Sequence, residues 1–560
     1  MATGAIGDER PTLFLRNATG LVRGWSVRDS MIYACLSTNV VTLGLVEFAY
    51  QDAFPSGQLL TAVLVAGVWV SFLVVAYTGL VVTIPRAGGD YVWQSRILGS
   101  GIGFVIAATA WWFTLWLWAP IYGQVLAEQF FQPLWATLGS PSGASWFATH
   151  NGVFVVTLIT IALASLAVSL GMSGYAKLQK WGFYAALIGI AVIVILLLIN
   201  TKSDFIAAFD SNASRIFGIN NAYAGTLADA AKAGYTPPPF GVSGSFSASM
   251  LLVPMLMFYL LWPNWGTTLY GEVRGASDFR RVFGGMFIGL WITVALSVVL
   301  LALFAKTFGF DFYQSANAMW LAGSTHALPI FPYPALLAGW LVNNTAFQTI
   351  LLLVMSVWFF AWVGTLFLSS TRVIFAAAFD RILPDGAASV SEKRRVPVWS
   401  LMLMMIPAVG LGALYAYNST FHSYTLDATL VIAVSYLLSA IAVVVLPFVK
   451  PDLWRASPAS RLKLLGVPVV PAAGVITIGL IGYNLYEWLS RNEYGVNSNG
   501  SLLYMLGTYV LALVIYVTAR IVRNRQGISL LISDRSMPCR ARTARATRKI
   551  TSASTYIAPM

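Results

Sequence analysis

Apolar positions in this chain do not recur at the three- and four-residue spacing of a surface helix. They continue for twenty residues or more between short polar and charged segments, which is the pattern of helices apolar on every face. A helix needs roughly 20 such residues to cross a bilayer. The runs predict twelve spans, near 28–50, 58–84, 101–131, 151–170, 180–200, 246–270, 282–305, 345–379, 398–417, 424–448, 467–489 and 501–522. Spans 3 and 8 are the longest, and helices of that length tilt or protrude. Two spans carry polar interruptions. Span 1 reads "YACLSTNVVTLG", with Ser37, Thr38 and Asn39 at its centre and Gly44 beyond. Span 6 reads "WPNWGTT", with Pro263 and Asn264 inside it. Proline removes a backbone donor, and Asn and Thr compete for helical hydrogen bonds. In lipid a freed backbone group survives only where it lines a cavity or is buried in protein.

The positions of the breaks organise the chain. Divided as five, five and two spans, the interrupted spans 1 and 6 correspond, and so do the long spans 3 and 8. An odd number of helices per repeat turns the second repeat over in the membrane. The expected architecture is an all-α polytopic membrane protein with a 5+5 inverted repeat and two further helices. Its segments are 1–27, a cytoplasmic lead; 28–200, the first repeat; 201–245, an extracellular loop; 246–448, the second repeat; 449–522, spans 11 and 12; and 523–560, a basic cytoplasmic tail. Paired interruptions at corresponding places point to a transporter site near the bilayer midplane. Two unrelated helix kinks are the plainer alternative.

Composition supports the same class. Hydrophobic residues make up 58% of the chain and charged residues 10%, against about 25% charged in soluble domains. Cys35 and Cys539 form neither a disulfide framework nor a metal site, so no metal or cofactor is expected. The net charge of +13 acquires meaning from its placement. Of 34 Lys and Arg residues, 29 fall at the termini and in alternate loops. Positive residues collect on the cytoplasmic side, so both termini are expected inside, in a multi-pass plasma-membrane protein. The first thirty residues predict no cleavable signal. The basic tail at 535–549 lacks interleaved aromatics; it reads as a contact for anionic lipid and not for nucleic acid.

Three segments carry a resemblance. They are "IPRAGGDYVWQSRILGSGIGF" (84–104), "LYGEVRGASDFRRVFGG" (269–285) and "SSTRVIFAAAFDRILPDGAASVSEKRRVPVWS" (369–400). In this order they resemble segments of amino acid permeases of the amino acid–polyamine–organocation (APC) superfamily, and the likeness covers roughly 20–520. It implies the leucine-transporter type of fold, alternating access, and a small amine-bearing substrate held at the two breaks. Departures accompany it: span 1 lacks the glycines often found in that break. Residues 181–199 hold no lysine, so the proton device that some relatives carry in span 5 looks absent.

An amino acid presents a carboxylate and an ammonium. Free N–H groups and a half-helix N-terminus attract the first, and free carbonyls accept from the second. Candidate substrate contacts are Ser37, Thr38, Asn39 and Val40 in span 1, with Phe258, Tyr259, Trp262 and Asn264 in span 6. For the aromatics ordinary packing is the alternative, and for the two amides a helix–helix hydrogen bond. Trp112 and Trp116, at i and i+4, share a face of span 3; it bounds the pocket if it looks inward and meets lipid if it looks outward. Among ionisable residues near span ends, Glu47, Glu128, Asp427 and Glu487, Glu47 is the candidate for an outer vestibule. The resemblance places a sodium site between spans 1 and 8, where Ala34, Ser37, Thr365 and Ser369 supply oxygens; Na+ and H+ both stand as coupling ions. Arg86, Asp90, Glu272, Asp380 and Arg381 are candidate inner-gate ion pairs, joined by Glu47 outside.

No acid is expected at the midplane of spans 1, 3, 6 or 8, which favours a neutral amino acid over a polyamine. A carrier of another amine-bearing or heterocyclic solute, such as a nucleobase, and a substrate sensor on the same scaffold are the competing readings. An embedded enzyme is disfavoured, because His150, His326 and His422 are dispersed and no HExxH, GxSxG or P-loop occurs. Oligomeric state, a homo-oligomer included, is left open.

Overall fold

The computed structural model describes residues 24–242, 244–391, 396–422, 427–528 and 530. The Arg-rich stretch 535–549, Cys539, the basic run 393–395 and the side chains of His422 and Asp427 lie outside the described residues. Among the described residues twelve helices are long and apolar enough to cross a membrane: Val27–Ala53, Leu59–Thr83, Ser100–Thr137, His150–Ser169, Gly171–Ile199, Phe246–Glu272, Phe279–Leu321, Thr345–Phe379, Val398–Tyr417, Ala428–Val449, Val469–Ser490 and Asn499–Arg525. They are numbered here as spans 1 to 12. Most agree with the hydropathy pattern within a few residues. Span 5 begins nine residues early, because Gly171–Ile199 continues as one helix through its polar start.

Both expected breaks exist. Span 1 is helical over Val27–Ser37, turns at Thr38 and Asn39, and resumes as a π turn over Val40–Gly44. Span 6 is helical over Phe246–Leu260 and resumes as a 3-10 helix over Trp265–Glu272. Proline at 263 and the Asn264 turn account for the gap. Span 8 holds an interruption the hydropathy pattern did not reveal: Thr345–Trp362 and Thr365–Phe379 are separate helices. Span 3 contains two π turns, Thr109–Phe113 and Ala127–Phe131.

The segment 201–245, expected as a loop, contains the helices Lys202–Phe217 and Ala222–Lys232. The segment 306–344 holds two further short helices, Phe310–Leu321 and Pro334–Gly339, called the lid helices below. Strand structure among the described residues is one two-residue hairpin between spans 10 and 11, pairing Lys463 with Pro468 and Leu464 with Val467.

Packing is reciprocal. Span 1 lies against span 7 and span 6 against span 2; span 5 lies against span 8 and span 10 against span 3; spans 3 and 4 pack together, as do spans 8 and 9. One continuous apolar core runs between them, with Trp111, Trp262, Trp265, Trp358 and Trp362 fully or almost fully buried.

Candidate functional site

The breaks of spans 1, 6 and 8 meet in the middle of the bundle. Asn39 caps the second half of span 1: its Oδ1 accepts from Thr42 N–H at 3.0 Å and from the Trp358 indole of span 8 at 2.7 Å. Its amide nitrogen donates to the Thr42 hydroxyl. Thr38 donates to Ala34 O at 2.9 Å and meets the Thr293 hydroxyl at 2.8 Å, while Ser37 donates to Tyr33 O at 2.7 Å. Thus the polar residues of this break largely satisfy one another and their neighbours. Val40 is wholly buried.

Span 6 differs. Both side-chain atoms of Asn264 are buried without a hydrogen-bond partner, as are Thr267 Oγ1, Trp111 Nε1 and the Tyr436 hydroxyl, which faces the Asn264 amide. Aromatic rings enclose this spot. Trp111 lies 4.6 Å from Trp265, Trp118 stacks on Trp265 at 5.4 Å, and Trp262 stands edge-on to both Trp118 and Trp265. Tyr436 of span 10 completes the box, 6.0 Å from Trp262. Buried polar atoms in native proteins are nearly always paired, so these orphans beside a helix break make it a candidate place for polar atoms from elsewhere.

The other predicted residues divide. Trp262 is in the box, its indole tied to Phe258 O at 2.7 Å. Tyr259 points across to Ser297 of span 7 at 3.1 Å, and Phe258 packs against Trp488 of span 11. Trp112 and Trp116 do share a face, but it looks to span 9, where both indoles donate to Leu403 O at 3.3 and 3.0 Å. The face of span 3 that reaches the breaks is that of Trp111 and Trp118. These two, with Trp265, Thr267 and Tyr436, are the residues the sequence reading passed over. Trp265 and Thr267 sit inside the quoted span 6 interruption, and Trp111 and Trp118 are seven apart, one face of a helix.

Span 8 bridges the breaks. Ser369 Oγ meets Tyr33 OH at 3.0 Å and donates to Trp265 O at 3.4 Å, and the Trp265 indole donates to Thr365 O at 3.2 Å. The four oxygens proposed for a cation are therefore near one another's partners, yet Ser369 is engaged by Tyr33 and the Ala34 carbonyl by Thr38.

The site is shut at both ends. At the loop ends of spans 2, 6 and 8, Arg372 Nε donates to Glu272 at 2.9 Å, both buried, and Arg96 grips Asp380 at 2.5 and 2.6 Å. Glu272 and Asp380 thus form ion pairs, but with arginines other than Arg86 and Arg381. Arg86 and Arg381 make no ion pair among the described residues, and Arg381 instead offers its carbonyl to Arg523 at 2.8 Å. Asp90 is held by hydroxyls and not by a basic group. Beneath the pairs, the motif glycines allow close approach: Gly88, at φ +107°, donates its N–H to Thr268 O at 2.8 Å, and a Cβ on Gly271 would come within 2.3 Å of Ala87 N. Trp25 crosses the end of span 6, accepting from Arg274 N–H at 2.9 Å.

At the other end Gln129 donates to Thr42 O at 2.7 Å, and the lid helix supplies Tyr313 to Leu45 O and Gln314 to Phe48 O at 3.1 and 2.8 Å. A narrow cavity is lined by Thr42, Gln129, Tyr333 and Phe359. Glu47 is half-buried beyond it, with no ion pair among the described residues.

Twelve apolar helices around a closed aromatic and polar box define a membrane transporter rather than an enzyme. More particularly, the chain belongs to the amino acid permease family, whose sequence profile matches residues 33–511. It is 21% identical over 462 residues to the branched-chain amino acid permease BcaP of Lactococcus lactis subsp. cremoris (strain MG1363), covering 79% of this chain and 84% of that protein. Amino acid transport is the activity these relations support.

Proposed function

We propose that the chain is a secondary carrier of neutral amino acids, with branched-chain side chains foremost, working by alternating access in the plasma membrane with both termini cytoplasmic. The observation that carries this reading is the box at the span 6 break. Asn264, Thr267 and Tyr436 offer unpaired polar atoms to the amino and carboxyl groups, while Trp111, Trp118, Trp262 and Trp265 present apolar faces to a side chain. Asp90, the carboxyl that faces Trp111 from the short helix between spans 2 and 3, is engaged by Tyr77 and Ser439, and the rings of the box are themselves uncharged, which suits an uncharged side chain. The name of the Lactococcus relative agrees. Reciprocal packing of spans 1 with 7 and 6 with 2, and of 5 with 8 and 10 with 3, is what a 5+5 inverted repeat followed by two peripheral helices requires. The shut ends then represent an occluded state. One end opens when the Arg372–Glu272 and Arg96–Asp380 pairs part, the other when the lid helix leaves the outer half of span 1.

The test is uptake of radiolabelled leucine, isoleucine and valine into proteoliposomes, with unlabelled lysine and alanine as competitors. Saturable uptake of the branched-chain set, displaced by alanine more than by lysine, is expected. Binding without uptake would identify a sensor instead.

A further inference from the structure

Asp90 opens the short helix Gly89–Ile97, between spans 2 and 3, every residue of which is buried. Its carboxyl is 0% exposed as part of that residue, and no Lys, Arg or His bonds to it among the described residues. Oδ1 accepts from Tyr77 of span 2 at 2.7 Å and from the Ser439 hydroxyl of span 10. Oδ2 has no partner. The indole N–H of Trp111 in span 3 faces the same carboxyl, yet it too is unpartnered.

Charged groups on the elements packed around it are committed elsewhere: Glu272 of span 6 with Arg372 of span 8, and Asp380 of span 8 with Arg96 of its own helix. Tyr77 and Tyr436 are the remaining titratable groups facing it. A carboxylate buried with no counter-charge is strongly disfavoured against its protonated form.

We propose that Asp90 is a proton-binding residue that couples a proton gradient to the aromatic box at the span 6 break. This rests on the carrier reading above and names its coupling ion. The ionised carboxylate draws the Trp111 N–H into a hydrogen bond at Oδ2. A proton from outside water, bound at Oδ2, removes that acceptor and releases the indole onto Trp265, the arrangement seen here. When the Arg372–Glu272 and Arg96–Asp380 pairs part, the acid gives the proton to cytoplasmic water and becomes a carboxylate again. Burial pushes the Asp90 carboxyl up to about 6, the Ser439 and Tyr77 hydroxyls and the Trp111 indole acting against it. Protonation is therefore favoured as outside pH falls through that value, and uptake declines as pH rises through it.

The test uses full-length protein in proteoliposomes with radiolabelled leucine, the outside about two pH units more acidic than the inside, a gradient able to support up to about a hundredfold accumulation at one proton per substrate. Wild type is expected to accumulate leucine at least about tenfold over the gradient-free control, and to lose the gain with a protonophore. Asp90→Asn is expected to lose the gradient effect while still exchanging internal unlabelled for external labelled leucine. Tyr77→Phe, which removes a donor to the carboxylate, is expected to move the pH midpoint upward. Wild-type uptake indifferent to the gradient overturns the proposal and leaves the carrier reading standing. So does a gradient-driven Asp90→Asn, or an Asp90→Asn that loses exchange and accumulation equally while Tyr77→Phe keeps the wild-type midpoint. No leucine movement at all by wild type would overturn the carrier reading, and this proposal with it.

Discussion

Asn39 and Asn264 stand at corresponding breaks, and their amides are used in opposite ways. Asn39 accepts from Thr42 N–H and the Trp358 indole, so it holds its own break together. Replacing it by Ala leaves a buried indole and a backbone donor without partners, each costing about 1–3 kcal/mol. Asn39→Ala should therefore lower the melting temperature in detergent markedly and reduce uptake as a consequence. Asn264 has little to lose, since neither amide atom has a hydrogen-bond partner, although the Tyr436 hydroxyl faces it. Removing an unsatisfied buried amide is neutral or stabilising. Asn264→Leu should keep or raise the melting temperature while cutting leucine uptake by about tenfold or more, the loss of one or two bonds to substrate. Equal damage to stability and uptake at position 264 would make it a structural amide like Asn39.

Among the elements, what the sequence disclosed was what polarity marks. Ser-Thr-Asn and Pro-Asn inside apolar runs announced the breaks of spans 1 and 6, and length announced span 8. The interruption of span 8 carries no such mark: Val363 and Gly364 are apolar, and Gly364 is required because a Cβ would meet Tyr175 at 2.3 Å. Tyr175 lies far away in sequence, so nothing local reveals the constraint. The same limit hid the direction of span 3. Its tryptophans populate two faces, and only packing decides that Trp111 and Trp118 turn inward. Helix Lys202–Phe217 was legible in principle, for Phe205, Phe209 and Ile216 recur on one buried face. Pairing of charges was not legible: Arg96 and Asp380 are 284 positions apart. The buried pair Arg372–Glu272 fastens span 8 to span 6, and breaking one partner leaves an uncompensated charge worth about 3–5 kcal/mol. Arg372→Ala should be strongly destabilised on thermal unfolding. The double variant Glu272→Leu with Arg372→Met, which removes both charges, should recover much of that loss. Its carrier should nonetheless rest open at that end, read as faster modification of a cysteine placed at Ala376.

For the molecule as a whole, alternation requires the two ends of the site to face different waters, and the chain marks those ends differently. The end closed by Glu272–Arg372 and Arg96–Asp380 is also where Lys450, Arg455, Arg461 and Lys463 gather in the segment between spans 10 and 11, and where Arg523 reaches back to Asp385 at 3.2 Å. The lid helices occupy the opposite end with few basic residues, one of which, Lys306, is bound to the carbonyls of Leu197, Leu198 and Asn200 at 2.8 Å. A charge bias so one-sided fixes orientation during insertion. On the orientation proposed above the first end is cytoplasmic, and a proton released from Asp90 would enter the cell. Exposed positions in the two regions, Ala456 in the 10–11 segment and Ala233 beside the lid, make this testable in a Cys539→Ser background, since Cys35 is buried. In intact right-side-out vesicles a membrane-impermeant maleimide should label Ala233→Cys at once and Ala456→Cys only after permeabilisation. The reverse order would turn the carrier over, and with it the direction in which its proton runs.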